Sequence, residues 1–350
     1  MKASVLHKFC TPPNFEEVDD PVCRPKSVVV ELKACGVCRS DHHAWSGHDP
    51  DVELPHIMGH ELAGVIVEIG SEIKEFSVGD RVTVPFILGC GLCSDCQTGN
   101  STICDNQETI GFTIRGGFAQ FVEIRFADFN LVSLPDSLSF EIAAAMGCRV
   151  TTAFRALTDR ACLSAGEWLA VFGCGGVGTS AVVIAKAMGA KVIGIDINSS
   201  ALKKATDLGA DIVLDPAKFK NIWQEVRDLT NGGVHVSLDA LGEEVTFQNS
   251  IRSLRKLGRH IQVGMPTADN AIVSLALLYL IYSRQLKIIG TRGMTSSGFE
   301  PLITMITDGS IKMDSLITRK LKLSQVHEAM LQFRTRSESG ITIINNFSML

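Results

Sequence analysis

Three things are missing from this chain. It has no excess of positive charge: 33 Lys and Arg against 38 Asp and Glu leave a net charge of −5, which argues against a nucleic-acid surface. It has no apolar run able to span a bilayer. The most apolar stretch, AIVSLALLYLIY (271–282), is too short and is interrupted by Ser274, so it reads as a buried helix or a subunit contact, and no membrane partner is expected. The first residues, MKASVLHKFCTPPN, lack the apolar core of a signal peptide. The expected compartment is therefore cytoplasmic, where thiols stay reduced. The cysteine count, 11, is odd in a large chain, which fits poorly with a disulfide framework. Internal repeats and low-complexity tracts are also absent.

What is present is a chain of 350 residues, 45% hydrophobic, long enough for two domains with separate cores. Residues 1–150 carry short β-rich runs broken by Gly, Pro and Asp: VVVELKACG, ELAGVIVEIG, DRVTVPFI and GGFAQFVEI. Scattered short strands of this kind suggest a barrel or sandwich. From about 151 to 288 strand and helix alternate. Six apolar segments, WLAVFG, KVIGID, DIVLD, VHVSLDAL, RHIQVG and LKIIG, are separated by helix-length stretches such as TSAVVIAKAMGA and EEVTFQNSIRSLRKLG. That rhythm predicts an α/β fold with a doubly wound parallel sheet. The last 60 or so residues are mixed and end in GITIINNF.

The first of the six strands runs into GCGGVG, in which Gly173, Gly175 and Gly178 satisfy G-x-G-x-x-G. The first glycine makes a tight turn, the second lets a pyrophosphate approach the backbone, and the third packs the following helix on the sheet. The N–H groups at that helix's start face the phosphate. A second strand ends at Asp196, 18 positions after Gly178, close to the spacing of a ribose-binding carboxylate. That acid would repel a 2′-phosphate, and Ile197 to Leu202 contain no Arg or Lys to reverse the effect. NAD is expected over NADP.

Cysteines 90, 93, 96 and 104 lie in one loop, GCGLCSDCQTGNSTIC. Their spacing suits tetrahedral thiolate ligation of a structural zinc with no open position. A nucleic-acid zinc ribbon would instead have two well-separated pairs and basic flanks. Further donors are dispersed: Cys35, Cys38, Asp41, His42 and His43, then His60 and Glu61, then Cys148. Singly, each fits a plain reading, with Cys148 a small core residue, His60 a satisfied turn histidine, and His42 and His43 solvated.

Taken together, these segments resemble the zinc-dependent medium-chain alcohol dehydrogenases over nearly the whole chain. The resemblance is carried by Cys38-Arg39-Ser40-Asp41 with His43, the GHE stretch from Gly59 to Gly70, the four-cysteine lobe, GGFAQFV, Cys148, and GCGGVG with Asp196. It implies a GroES-like β-barrel catalytic domain, residues 1–150 and 289–350, wrapped around a Rossmann NAD-binding domain, residues 151–288, with the catalytic cleft between them. It implies two zinc ions per chain: a structural one on the lobe and a catalytic one on Cys38, His60 and Cys148. Asp41 would orient His60, and Glu61 would sit behind the metal. Cys35 matches no family ligand and is expected to be a packed thiol.

The same resemblance implies that Ser40 takes the alcohol's proton and passes it, by way of the cofactor's ribose, to His43. Arg39 would face the pyrophosphate and Thr152 the nicotinamide. Gly176, Val177, Val263 and Met265 join the glycines and Asp196 as cofactor-binding residues. Phe86 and Trp45 are candidate pocket walls. The expected partners are a small alcohol or aldehyde and further copies of the chain, as a homodimer or homotetramer. Related threonine, polyol or formaldehyde dehydrogenases are the alternative, although polyol enzymes commonly place Glu where this chain has Cys148. Two positions depart from the family pattern: Ile341, where an Arg often joins the pyrophosphate, and Arg149, where a small residue is usual.

Overall fold

The computed structural model describes residues 1–266, 275–334 and 340–348. The chain forms two compact units. One comprises Met1–Thr151, Gly293–Gly309 and Met313–Leu350; the other comprises Thr152–Arg292 and Ser310–Lys312.

The first unit is built around the long strand Ser27–Val37, SVVVELKACGV, which is buried along almost its whole length. It pairs antiparallel with Glu61–Ile69 and Phe121–Arg125. At its far end, residues 35 to 37 pair with Ile344, Ile343 and Thr342 of the strand Ile341–Asn346. That last strand also runs parallel to Ile317–Lys322, so the carboxyl end of the chain completes a sheet begun at its amino end. Leu32, Met58, Ile66, Phe118 and Ile124 fill the core between the layers.

The expected single strand DRVTVPFI is two: Arg81–Thr83 in the main sheet, and Ile87–Leu88 in a separate pair with Glu108–Thr109. Pro85 stands between them, and a residue without an N–H cannot continue a central ladder.

The second unit is one sheet of six parallel strands. They are Trp168–Phe172, Lys191–Ile195, Ile212–Leu214, Val234–Asp239, Leu254–Gln262 and Lys287–Gly290. Counted along the chain, their spatial order is third, second, first, fourth, fifth, sixth, the dinucleotide-binding arrangement with its switch point beside the first strand. The helix expected through Gly258 stops earlier, as Glu244–Ser253. Leu254 is fully buried in the sheet's core and opens the next strand opposite Val234; burying that leucine between strands outweighs one further helical turn.

Of the apolar stretch 271–282, residues 271–274 lie outside the described residues. The remainder belongs to the helix Leu275–Arg284. Leu277 is buried, but Leu278, Tyr279 and Tyr282 are 56%, 69% and 82% exposed, so this is not a buried helix. Among the described residues no helix is long and apolar enough to cross a membrane.

Candidate metal centres and cofactor site

The four-cysteine lobe closes on itself. Cys90 Sγ lies 4.0 Å from Cys96 Sγ, and Cys93 Sγ lies 3.7 Å from Cys104 Sγ. Zn–S bonds of about 2.3 Å in a tetrahedron set sulfurs about 3.8 Å apart, so the donors fit zinc as they stand. All four are free thiols. Backbone N–H groups of Leu92 and Cys93 hold Cys90 down to about 6, whereas burial pushes Cys96 up to about 12. The lobe has little apolar support: Leu92 and Ile103 are 77% and 62% exposed. Its root is tied to the barrel by Asn130, whose amide bonds both the N–H and the carbonyl of Gly89.

The second cluster gathers Cys38, His60, Glu61 and Cys148, with one donor atom from each lying within 4.8 Å of all the others. Each arrives on a different piece of backbone. Cys38 follows directly on the long central strand and caps the helix Arg39–Ser46. His60 immediately precedes the strand Glu61–Ile69. Cys148 lies in a widened π-helical turn, Met146–Val150, a feature frequent at functional sites.

Asp41 organises the group. Fully buried, it accepts the N–H of Cys38 (2.8 Å) and of Gly59 (3.1 Å), and it pairs with His60 Nδ1 at 2.8 Å. That fixes the ring with Nε2 turned into the cluster, where it is buried with no hydrogen-bond partner among the described residues. A carboxylate behind a ligating imidazole is the arrangement that sets its tautomer. The phenyl rings of Phe86 and Phe112 stand 5.6 and 5.2 Å from the imidazole and give the cluster an apolar wall.

Electrostatically the cluster is poised for a cation. A hydrogen bond from Cys148, helped by His60 and Arg149, draws Cys38 well below the usual thiol range, and the same bond together with burial lifts Cys148 well above it. Burial lowers His60, but Asp41 and Cys38 outweigh it and hold the ring well above its ordinary value. A divalent ion displaces these shared protons. Two sulfurs and one imidazole suit zinc, with a fourth position available to a small ligand.

Other predicted residues fall as follows. Ser40 Oγ is 3.8 Å from Cys38 Sγ. His43 is partly buried, with Nδ1 unpartnered among the described residues, and Arg39 is exposed at the start of the same helix. Cys35 is fully buried, its thiol raised by burial. Trp45 is 1% exposed, packed in the core with its indole N–H donating to Thr11 O, so it is a core residue rather than a pocket wall.

In the second unit, Gly173 turns with φ 92°, and a Cβ there would meet Leu241 Cγ at 2.6 Å. A Cβ on Gly178 would lie 1.9 Å from Gly173 O, whereas Gly175 faces open space. The turn is therefore tight below and clear above, the shape a pyrophosphate requires. Gly176 and Val177 begin the helix Gly176–Ala187. Asp196, half-buried, accepts the N–H groups of Cys174 and Asn198, each at 2.8 Å, which fixes its carboxylate with lone pairs to spare. The N–H of Val263 donates to Asp239 O, and Met265 is half exposed. Thr152 Oγ1 is buried without a partner among the described residues.

Three contributors were not foreseen. Asp239, fully buried, takes the N–H groups of Leu241 and Gly242 and the hydroxyl of Thr246, shaping the loop against Gly173. Its signal was available: VHVSLD ends on an acid at the same carboxyl edge as KVIGID. Phe112 beside His60 has no sequence signal, and Arg149, which stands out in the sequence only as larger than usual, gives no sign there that it is the partner of Glu61.

Family models match both units: an alcohol dehydrogenase GroES-like domain over residues 24–136, and a zinc-binding dehydrogenase domain over residues 176–308. An alcohol dehydrogenase of Geobacillus stearothermophilus is 34% identical over 334 residues, covering 95% of this chain and 96% of that one. An NAD-dependent alcohol dehydrogenase of Sulfolobus acidocaldarius is 33% identical over 353 residues, covering 98% and 99%. In three dimensions the alcohol dehydrogenase of Thermus sp. ATN1 superposes with a TM-score of 0.90 at 26% identity, over 99% of this chain and 100% of that one. With both domain models matched, relatives similar along its full length and two donor sets suited to zinc, the chain belongs to the medium-chain zinc alcohol dehydrogenase family.

Proposed function

We propose that the protein is a zinc-dependent, NAD-linked alcohol dehydrogenase interconverting small alcohols with aldehydes or ketones by hydride transfer. The expected boundary at 289 would split the strand Lys287–Gly290, which belongs to the parallel sheet; the catalytic domain is therefore read as 1–151 and 293–350, and the NAD-binding domain as 152–292, with Ser310–Lys312 packed on the latter. The observation that carries this reading is the difference between the two donor sets: four sulfurs that saturate one another's ion, and two sulfurs plus an imidazole whose fourth neighbour, the Glu61 carboxylate, is paired with Arg149. When bound, zinc supplies Lewis-acid polarisation of the alcohol oxygen and NAD supplies the hydride acceptor.

The chain's own residues do the rest. Cys38, His60 and Cys148 hold the catalytic ion, with His60 oriented by Asp41; Cys90, Cys93, Cys96 and Cys104 hold the structural one. The hydroxyl of Ser40, next to Cys38, accepts the alcohol's proton, and His43 receives it at the solvent end. Arg39 and the Gly173–Gly178 turn meet the pyrophosphate, Asp196 the ribose, and Thr152, Val263 and Met265 the nicotinamide side. We read the chain as a cytoplasmic homodimer or homotetramer. In support, the outermost strand Lys287–Gly290 has a strand partner on one side only among the described residues, and Leu278, Tyr279 and Tyr282 are large apolar or aromatic side chains left exposed; a solution mass of one chain by light scattering would remove this.

A panel of alcohols, polyols, threonine and hydroxymethyl thiols, followed by NADH absorbance, tests the activity and separates the related chemistries. Asp196→Ser should weaken NAD and improve NADP. The loss is about 1–3 kcal/mol for a charged hydrogen bond, roughly 5- to 150-fold in kcat/KM. Equal use of both cofactors by the unmodified enzyme would count against that role.

The relay has a pH signature. Burial, reinforced by Arg39 and His48, lowers the pKa of His43 below its ordinary 6.5, with Cys38 and Asp49 opposing. A proton acceptor works in its neutral form, so His43 stays competent down into mildly acidic solution, where hydroxide is scarce. His43→Gln should therefore lose alcohol oxidation most just above that lowered pKa and least at high pH, by about 10²-fold or less, with partial rescue by buffer base. Ser40→Ala should lose most of kcat at every pH while keeping its zinc. Near-normal turnover in both variants would eliminate the relay.

A further inference from the structure

Glu61 occupies an ambiguous position. One of its carboxylate oxygens lies within 4.8 Å of the donor atoms of Cys38, His60 and Cys148, and a carboxylate so close to a zinc ion is an ordinary ligand for it. Were it to bind, the ion would have four protein ligands and no place for an alcohol.

Three features hold it elsewhere. The first is Arg149, whose Nε donates to Glu61 Oε1 at 3.2 Å, whose Nη2 donates to Oε2 at 2.5 Å, and whose backbone N–H reaches Oε1 at 3.4 Å. One residue thus engages both oxygens from a planar fork. The second is steric. Glu61 rests in a seat cleared by two glycines: a Cβ on Gly36 would come within 2.1 Å of Oε2, and one on Gly147 within 2.4 Å of Cβ and Cγ. The third is charge. Glu61 and Arg149 have side chains 0% and 5% exposed. A divalent ion with two thiolates is already neutral, so Arg149 is the counter-charge of Glu61, and a buried carboxylate without one is strongly destabilised. Remove the guanidinium and the nearest replacement cation is the metal.

We infer that Arg149 is a positioning residue that keeps the Glu61 carboxylate off the catalytic metal and so leaves the fourth coordination position to the substrate. This rests on the zinc reading proposed above. The pair comes from a chain separation of 88 residues and depends on the π-helical turn, which places Cys148 in the cluster while Arg149 reaches Glu61.

The test replaces the catalytic zinc of the purified enzyme with cobalt(II) and titrates imidazole, read by visible absorption. The unmodified protein should change its spectrum as imidazole enters the open position. Arg149→Met should show an altered spectrum before any addition and bind imidazole at least about tenfold more weakly, in the range expected for loss of an outer-shell partner. Arg149→Met combined with Glu61→Gln should recover imidazole affinity to within about threefold of the unmodified protein. A folded Arg149→Met with unchanged spectrum and imidazole affinity overturns the inference, as does a double variant no better than the single one. Should Arg149→Met fail to fold, Arg149→Gln, which removes both the fork and the charge, carries the same comparison, and unchanged affinity there overturns it. A protein that takes up no cobalt at Cys38, His60 and Cys148 would sink the zinc reading itself and this inference with it.

Discussion

Cys148→Ser should give a folded protein that holds about one zinc per chain and has lost at least roughly 10³-fold in kcat, several kcal/mol of transition-state stabilisation. The substitution changes one atom in a turn whose neighbours are already packed, so the barrel has no reason to rearrange. A serine hydroxyl stays protonated near neutrality and is a poor ligand for a soft-tolerant ion. Cys38 and His60 alone cannot complete the site, although Asp41 still orients the imidazole. Metal analysis, circular dichroism and NADH absorbance decide it. Two zinc ions with normal turnover would show that the open donor set is not where the reaction occurs.

Cys93→Ser should do the converse. The sulfur of Cys93 lies 3.7 Å from that of Cys104, and without it the loop from Cys90 to Cys104 loses its crosslink. Closing a loop of that length removes about 3 kcal/mol of denatured-state entropy in the chain-entropy treatment of crosslinks. Spread over a domain of this size, that corresponds to a fall of roughly 5–10 °C in Tm. The exposed Leu92 and Ile103 cannot compensate, because neither has a core to join. Turnover at low temperature should survive, and a chelator should lower the Tm of the unmodified protein while adding little to the variant. A variant with unchanged Tm and one zinc fewer would mean that the lobe contributes nothing to stability.

How much of this was legible follows from how local each signal is. The six parallel strands are short apolar runs bounded by helices, and each can be read where it stands. The same is true of the lobe, whose four ligands lie within 15 consecutive residues, and of the glycine turn with Asp196. The donors of the second cluster are different. Cys38, His60 and Cys148 are brought together by the pairing of Ser27–Val37 with Glu61–Ile69 and by one widened helical turn. No spacing rule anticipates that, and only the family resemblance placed them. Arg149 was visible as an oversized neighbour of Cys148, but its bond to Glu61 depends on the phase of that turn. Pro85 could have divided its strand in advance. The early end of the helix at Ser253 could not, because it depends on which core Leu254 enters.

The strand Ile341–Asn346 has a consequence for how the protein is made. It lies between Ser27–Val37 and Ile317–Lys322, and its Ile343 stands opposite Gly36, the residue whose missing side chain gives Glu61 its seat. During synthesis the parallel-sheet unit is a nearly continuous stretch and emerges whole, whereas the sheet that carries the second donor cluster lacks an interior strand until residues 341–346, which follow that unit in the chain, have been made. The nascent chain can therefore complete its nucleotide half first. Its other half waits, with one edge of Ser27–Val37 uncovered, for the strand Ile341–Asn346 to be made.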